Sequence, residues 1–561
     1  VKLTWFRKGT IYQIYPRSFN DSNNDGIGDL KGIIEKLDYI KSLQVDIIWL
    51  SPIFSSPNDD NGYDISDYCS IMPEFGTMDD FDELLKETHN RGMRLILDLV
   101  ANHCSDEHRW FEEAKKSKDN PYRDYFHWKK PGLDGEVPNN WKSFFGGSAW
   151  ELDEASGEYY LHLFTKKQPD LNWENPKVRE EIYNAMRFWL DKGVDGFRMD
   201  VIPLISKPVG YPDAPDFGFR KIIEEVYANG PTVHRYLKEM NEEVISKYDA
   251  FSLAEGVGID DSKVGLYVNE DRKELDMLYH FDILECTIIN GKFEEVSPFN
   301  LVRIKQIFKK WRDAVHQTGW IANAMGNHDF ARMVSRFGDD TKYHSESAKM
   351  LITMLSTQNG TLNIYQGDEI GMTNISLSNI DQVRDVQSLN FYNENQLTKR
   401  YSEDVALQMI NKEGRDNART PVQWSDEING GFSLNEPWLK SNPNYKDINV
   451  KSQDDDSTSI LNFYRNLLKT RKKHDVFVFG DFEEVEFDNP NLYIYKKTFG
   501  EEEIMVLLNF SSSEESYFYK NGSSIGNGSK VLINNYEDIL IEDKSILLKP
   551  YQGVILDLGR N

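Results

Sequence analysis

Residues 95–100 read Leu-Ile-Leu-Asp-Leu-Val, and residues 196–201 read Gly-Phe-Arg-Met-Asp-Val. Each is a short apolar run carrying an acid, and each follows an amphipathic stretch stopped by a glycine. Phe81, Leu84 and Leu85 share a helical face that ends near Gly92. Val178, Ile182, Ala185, Met186 and Trp189 form a helical stripe that ends at Gly193. The same unit stands earlier, where Ile33, Leu37 and Ile40 lead into Val45-Asp46-Ile47-Ile48-Trp49-Leu50, closed by Ser51-Pro52. Strands apolar on both faces and alternating with helices belong in a parallel sheet covered on both sides. Runs at 11–15, 251–254, 279–283, 321–325 and 362–365 bring the strands to eight. Eight such units predict an α/β fold, a closed (β/α)8 TIM barrel with its chemistry at the carboxyl ends of the strands.

Two regions break the rhythm. Residues 105–174 are rich in Trp, Phe, Tyr, Gly and Pro with little helical period, and read as an insertion after the third strand. From about 487 the pattern becomes alternating strands with Gly/Asn/Ser turns. The predicted division is a catalytic barrel over 1–104 and 175–486, an inserted domain over 105–174, and a C-terminal antiparallel, sandwich-like β domain over 487–561.

The chain of 561 residues is 39% hydrophobic and 13% aromatic, enough for a large core. Its 92 acidic against 65 basic residues give a net charge of −27, which argues against nucleic acid or an anionic membrane as partner. Three dispersed cysteines, Cys69, Cys104 and Cys286, do not make a disulfide framework or a zinc site. No 18-residue apolar run and no secretory core in VKLTWFRKGTIYQIYP is present. The expectation is a reduced, cytoplasmic monomer; the acidic balance does not by itself choose a small-molecule substrate.

Four acids stand at or near strand ends: Asp98 in DLVANHCSD, Asp200 closing GFRMD, Glu255 in LAEG and Asp329 closing GNHD. An acid beside an apolar strand is costly to bury unless paired or used. Any one could cap a helix or pair with Arg198. Four at equivalent places in a barrel converge on one mouth. Two carboxyl groups across one bond are the equipment of glycoside hydrolysis, about 5–5.5 Å apart where stereochemistry is retained. The acid must keep its proton and the nucleophile must stay ionised, which Arg198, two residues before Asp200, favours.

These four segments resemble the signature regions of the alpha-amylase family, family 13 of the glycoside hydrolases, over essentially the whole chain. The resemblance implies that Asp200 is the nucleophile, Glu255 the general acid/base and Asp329 the third carboxylate, which stabilises the transition state. It implies that His103 and His328 donate hydrogen bonds to sugar hydroxyls, that Arg198 partners the nucleophile, and that Asp98 is a supporting acid. No organic cofactor is expected.

Within the family, Gln-Pro-Asp-Leu-Asn at 168–172, SPNDDNGYDISDY at 56–68 and GRDNARTPVQW at 414–424 are similar to the oligo-1,6-glucosidase subfamily. By that likeness Asp60 and Arg415 hold the non-reducing-end glucose and close the pocket, making the enzyme exo-acting. Tyr63 and Phe164 meet the sugar ring. Val201, after the nucleophile, goes with α-1,6 linkages, because a stiff β-branched side chain narrows the aglycone side. The implied activity is a retaining α-glucosidase cutting isomaltose-type oligosaccharides. The sequence departs from close relatives at Pro203, Gly256-Val257 and Phe330-Ala331, all expected on the aglycone side. Rivals on the same scaffold are a trehalose-6-phosphate hydrolase, with Lys207 as its candidate phosphate partner, an α-1,4-glucosidase, and a transglucosylase or sucrose isomerase. The arginine-rich isomerisation motif of the last is absent from FDILECTIINGKFEE at 281–295. A non-catalytic, membrane-anchored relative would lack the full triad.

Asp21-Ser22-Asn23-Asn24-Asp25-Gly26-Ile27-Gly28-Asp29 alternates oxygen-bearing side chains, with Gly at the sixth position. That spacing suits a hard cation, although Gly32 stands where an EF-hand has Glu. It resembles the subfamily's calcium or magnesium loop, which implies Asp21, Asn23, Asp25, the Ile27 carbonyl and Asp29 as ligands in a structural role.

Overall fold

A computed structural model describes residues 4–291, 293, 295–315, 318–519, 529–542 and 544–559. Eight parallel strands form its central sheet: β1 (Thr10–Ile14), β2 (Ile47–Leu50), β3 (Arg94–Val100), β4 (Gly196–Asp200), β5 (Phe251–Gly256), β6 (Met277–His280), β7 (Ala322–Asn323) and β8 (Thr361–Tyr365). Their spatial order is β6-β5-β4-β3-β2-β1-β8-β7, and a parallel bridge between Leu278 and Ile321 brings the two ends together. The molecule is the expected (β/α)8 barrel.

The strands form where the apolar runs stood because both faces are covered. β1, β2, β4, β5, β6 and β8 are buried at every residue. The helices Met78–Asn90 and Pro176–Lys192 turn Phe81, Leu84 and Leu85, and Val178, Ile182, Met186 and Trp189, onto that sheet. Gly193 ends the second helix in the left-handed conformation. Gly196 opens β4 because a Cβ there would meet the Phe251 carbonyl oxygen at 2.1 Å. The register sets Asp98 level with Arg198, and Glu255 level with Tyr279. Side chains that act together are thus fixed by strand pairing.

The stretch 105–174 carries a three-stranded antiparallel sheet of Trp128–Lys129, Glu158–Leu161 and Trp150–Asp153. It also holds a helix, Arg109–Lys116, that the composition did not suggest. The bridge His103–Asp170 ties the segment back to the barrel mouth, and Phe126–Leu171 closes it internally. At the C-terminal end, Asp481–Val485, Leu492–Phe499, Glu502–Asn509, Gly553–Asp557 and Lys530–Asn534 form a five-stranded antiparallel sheet, joined by a three-stranded one. Its first strand precedes residue 487. Asp-Phe-Glu-Glu-Val is an edge strand with charged side chains, a composition that reads as loop. Tyr493, Tyr495, Val506 and Leu508 join the barrel core, and Leu492, Ile494, Met505 and Leu507 pack into a second cluster on the other face.

Candidate active site

The strand ends deliver one cation and three carboxyl groups to a single point. Arg198, fully buried, places Nη1 2.8 Å from Asp98 Oδ1 and 2.6 Å from Asp200 Oδ1, and Nη2 2.7 Å from Glu255 Oε1. Asp200 and Glu255 therefore share one guanidinium, which fits two carboxyl groups serving one glycosidic bond. The Tyr279 hydroxyl accepts from Arg198 Nη2 at 2.7 Å and donates to Glu255 Oε1 at 3.1 Å. Trp49 Nε1 and the Tyr63 hydroxyl donate to Asp98 Oδ2.

The other oxygen of Glu255 accepts the Val201 backbone N–H at 2.9 Å. Val201 has φ 35° and ψ 35°, a left-handed conformation that a β-branched residue rarely adopts and that costs about 1–3 kcal/mol. The surroundings hold it there, so its N–H faces Glu255 while its side chain lines the cavity.

Burial dominates the electrostatics. It pushes Asp98 up to about 6 and Asp200 well above the usual carboxylate range, and Arg198 only partly offsets this. One positive charge cannot fully balance the buried negative charges, so Asp98 and Asp200 both resist ionisation more than exposed carboxyl groups do. Burial also pushes His103 down to about 4 and His328 well below the ordinary histidine range, leaving both rings neutral. Gln13 Nε2 donates to His328 Nδ1 at 2.8 Å. The ring proton is then on Nε2, 3.2 Å from Asp329 Oδ2.

A second charged group closes the far side. Arg415 Nη2 lies 3.1 Å from Asp60 Oδ1, Nη1 3.2 Å from Asp329 Oδ1 and Nε 2.6 Å from Asp385 Oδ1. Arg419 Nη2 is 3.0 Å from Asp329 Oδ1. Asp60 Oδ2 accepts from Gln168 Nε2 at 3.2 Å. The Tyr63 ring stacks on His328 with centroids 5.1 Å apart, and Phe164 lies 4.8 Å from both His103 and Phe144.

Asp60, Tyr63, His103, Phe164, Asp200, Val201, Glu255, His328, Asp329 and Arg415 line one cavity of about 680 Å³, with Arg198 beneath its floor. Sequence reading missed Tyr279, Asp385, Arg419, Phe144 and Phe145. Arg419 was visible one helical turn after Arg415 in GRDNARTPVQW; Asp385 and the two Phe residues carried no local signal. One expectation is corrected. Lys207 does not reach the cavity: it is buried, with Nζ 2.7 Å from both Asp170 Oδ2 and Asn102 Oδ1, because Asp170 demands a buried cation. Pro203 stands in the turn Ile202–Leu204, two residues after Val201, and is not itself a lining residue, whereas Val257 and Phe330 line the cavity.

The 21–29 loop follows β1, away from these acids. Asp21 accepts from the N–H groups of Asn23, Asn24 and Gly26, and Asp29 from those of Ser22 and Gly32. Gly26, at φ 89°, is required because a Cβ would meet the Glu436 carbonyl oxygen at 2.2 Å. The candidate ligands are all hard oxygens, which fits a hard cation; Asp21 Oδ1 and Asp29 Oδ1 each already accept two hydrogen bonds, whereas Asp21 Oδ2 and Asp29 Oδ2 accept one each and keep a lone pair. Among the described residues, no three or more His, Cys, Asp or Glu side chains are gathered as metal ligands.

Residues 13–480 match the family model described as alpha amylase, catalytic domain. The chain belongs to the alpha-amylase family. It is 50% identical to the oligo-1,6-glucosidase of Parageobacillus thermoglucosidasius, over 98% of each chain. It is 44% identical to the trehalose-6-phosphate hydrolase of Bacillus subtilis (strain 168), over 99% of this chain and 98% of that one. Among solved structures, the trehalulose synthase of Pseudomonas mesoacidophila MX-45 superposes with a TM-score of 0.95 at 42% identity, covering 99% of this chain and all of that one. These alpha-amylase family relatives share the chain's full length, so barrel, insertion and C-terminal sheet are compared as one unit.

Proposed function

We propose that this glycoside hydrolase is an exo-acting, retaining α-glucosidase of the oligo-1,6-glucosidase type, cutting α-1,6 bonds at the non-reducing end of isomaltose-type oligosaccharides. The observation that carries the reading is the Asp60–Arg415–Asp329 bridge, which ends the cavity beside Asp200 and Glu255. A pocket closed at one end admits a terminal sugar and not the middle of a chain.

In the proposed reaction the Asp200 carboxylate attacks the anomeric carbon while Glu255 gives its proton to the departing glycosidic oxygen. The carbon–oxygen bond breaks and a covalent glucosyl–Asp200 ester forms. Glu255 then takes a proton from water, the water oxygen bonds to the anomeric carbon, and Asp200 leaves as carboxylate. Asp329 stabilises positive charge at the anomeric centre, and the neutral His103 and His328 donate to hydroxyls. Tyr63 and Phe164 meet the apolar face of the ring.

The resemblance to trehalose-6-phosphate hydrolases supports a second reading, but the burial of Lys207 against Asp170 argues against a phosphate partner there. Product analysis on isomaltose, panose, maltose, sucrose, trehalose and trehalose 6-phosphate decides between them. We expect kcat/KM for isomaltose to exceed that for maltose by about tenfold. Faster cleavage of maltose would remove the role given to Val201. Asp200→Asn is expected to lower kcat by about 10⁴-fold with an unchanged melting temperature.

We also propose that the 21–29 loop holds a structural Ca²⁺ or Mg²⁺ through Asp21, Asn23, Asp25, the Ile27 carbonyl and Asp29, the cation supplying charge balance in that turn. Chelation should lower the melting temperature by several degrees and Asp21→Ala should abolish that response. A chelator-insensitive wild type sinks this assignment. The three free cysteines support a reducing, cytoplasmic setting, and no helix among the described residues is long and apolar enough to cross a membrane. A monomer is proposed, to be checked by sedimentation.

A further inference from the structure

A carboxylate outside the cavity organises the stretch that carries Asp60. Asp64, between β2 and β3, is fully buried and is not a lining residue. Its Oδ1 accepts from the Ser56 hydroxyl at 2.9 Å and from the Asp60 N–H at 3.0 Å, and its Oδ2 accepts from the Asp59 N–H at 2.8 Å. Among the described residues no cation pairs with it. The buried carboxylate is held instead by hydrogen bonds from the loop it folds. Ser56 Oγ in turn accepts from the Asn58 N–H at 3.0 Å. Such a centre offsets an unusual backbone, because Asn58, Asn61 and Gly62 stand at φ 64°, 47° and 101°.

The two acids that Asp64 holds face different partners. Asp59 Oδ2 accepts from the Thr165 hydroxyl, near the end of the inserted segment. The Thr165 N–H donates to Gln168 Oε1 at 3.0 Å, and Gln168 Nε2 donates to Asp60 Oδ2 at 3.2 Å. These bonds close a ring that runs from Asp64 through Asp59, Thr165, Gln168 and Asp60 back to Asp64. Asp60 Oδ1 is then presented to Arg415 at 3.1 Å, at the glucose end. Two segments far apart in the chain thus fix one side chain. A carboxylate is the group position 64 requires. Asn has a single carbonyl oxygen, so its NH2 group would face either the Asp59 N–H or the Ser56 and Asp60 donors.

We propose that Asp64 is a positioning residue for Asp60, and that the ring through Thr165 lets the inserted segment set the pocket's affinity for the terminal glucose. This rests on the α-glucosidase reading above, and the test separates the two. Asp60 stands at the closed end, away from the bond that breaks, so its contact with the sugar is alike in the ground state and the transition state. Loss of such a contact raises KM and leaves kcat. The experiment measures kcat, KM and melting temperature with isomaltose for Asp64→Asn and Thr165→Val, each alone and in an Asp60→Asn background. We expect Asp64→Asn to raise KM about tenfold and Thr165→Val about threefold, with kcat within about twofold of wild type. In the Asp60→Asn background either change should lower kcat/KM by less than about twofold, because the effect runs through Asp60.

Unchanged KM in both variants, with a wild type that cleaves isomaltose, overturns the positioning proposal and leaves the glucosidase reading intact. A loss of kcat/KM as large in the Asp60→Asn background as in the native one overturns it too, since Asp64 would then support the barrel mouth and not Asp60. Where Asp64→Asn does not fold, Thr165→Val decides by the same two readings, because it keeps the side chain's shape and removes only the hydroxyl. A wild type that fails to cleave isomaltose overturns the glucosidase reading and this inference with it.

Discussion

Arg198 is the residue on which the site's charge balance turns, because it faces Asp98, Asp200 and Glu255 at once. Removing one of the three negative charges must shift the others, since a neighbouring like charge disfavours ionisation. Asp98 is the informative one, being behind the reacting atoms. Asp98→Asn is expected to ease ionisation of Asp200 and so move the acid limb of the kcat/KM profile to lower pH, by about one unit. Loss of the Tyr63 and Trp49 hydrogen bonds to the carboxylate should also reduce kcat by about tenfold or more. An acid limb that stays in place would show that Asp98 acts only by packing. Asp98 stood out in the sequence as an acid inside an apolar run. Its bond to Arg198 was one open pairing among four acids, because the choice depends on the register between β3 and β4.

At the scale of elements, the inserted segment's junction carries a pH dependence. His127 lies between its first strand and the barrel, with Nε2 3.1 Å from the Leu171 carbonyl oxygen and Nδ1 against the Tyr211 hydroxyl. Burial pushes His127 down to about 3. An unfolded chain protonates this ring near pH 6.5 while the native one stays neutral, so the unfolded state binds more protons between pH 6.5 and 3. The stability it gives is fully present above pH 6.5 and is lost as pH falls, with a slope of up to about 1.4 kcal/mol per pH unit. Melting curves from pH 7 to 4 should therefore fall more steeply for wild type than for His127→Gln. Parallel curves would remove His127 as the source. The elements themselves were legible where burial on two sides imposes continuous apolar runs, as in β2 and β3. They were illegible where polarity is tolerated: the Arg109–Lys116 helix buries only Trp110, Phe111 and Ala114, and Asp481–Val485 is a charged edge. β7 shrinks to two residues within the expected run at 321–325. The site's catalytic acids were readable because they stand at or near strand ends. Phe144 and Phe145 come from a stretch without period, so nothing local marked them.

Across the whole molecule, barrel and C-terminal sheet are joined by two buried lysines, one from each side. Lys305, on the barrel helix Leu301–Val315, points Nζ at the carbonyl oxygens of Phe487, Asn489 and Leu492, at 3.1, 2.7 and 2.6 Å. Lys497, on Leu492–Phe499, returns Nζ to the carbonyls of Thr357 and Phe477 at 2.8 and 2.6 Å. A buried ammonium that donates to backbone oxygens satisfies acceptors which otherwise cost about 1–3 kcal/mol each. Lys305→Met should accordingly destabilise the protein by several kcal/mol in urea unfolding. The same lysine gives the effect a pH signature. Burial pushes Lys305 down to about 8, below the 10.4 or so of an unfolded lysine. Between these values the unfolded state binds more protons than the native state, so the lysine's contribution rises with pH through this window. The urea midpoint of wild type relative to Lys305→Met should therefore increase from pH 8 to pH 10. A difference that is constant or shrinks over that range would show that the ammonium is not held out of water at the junction of barrel and sheet.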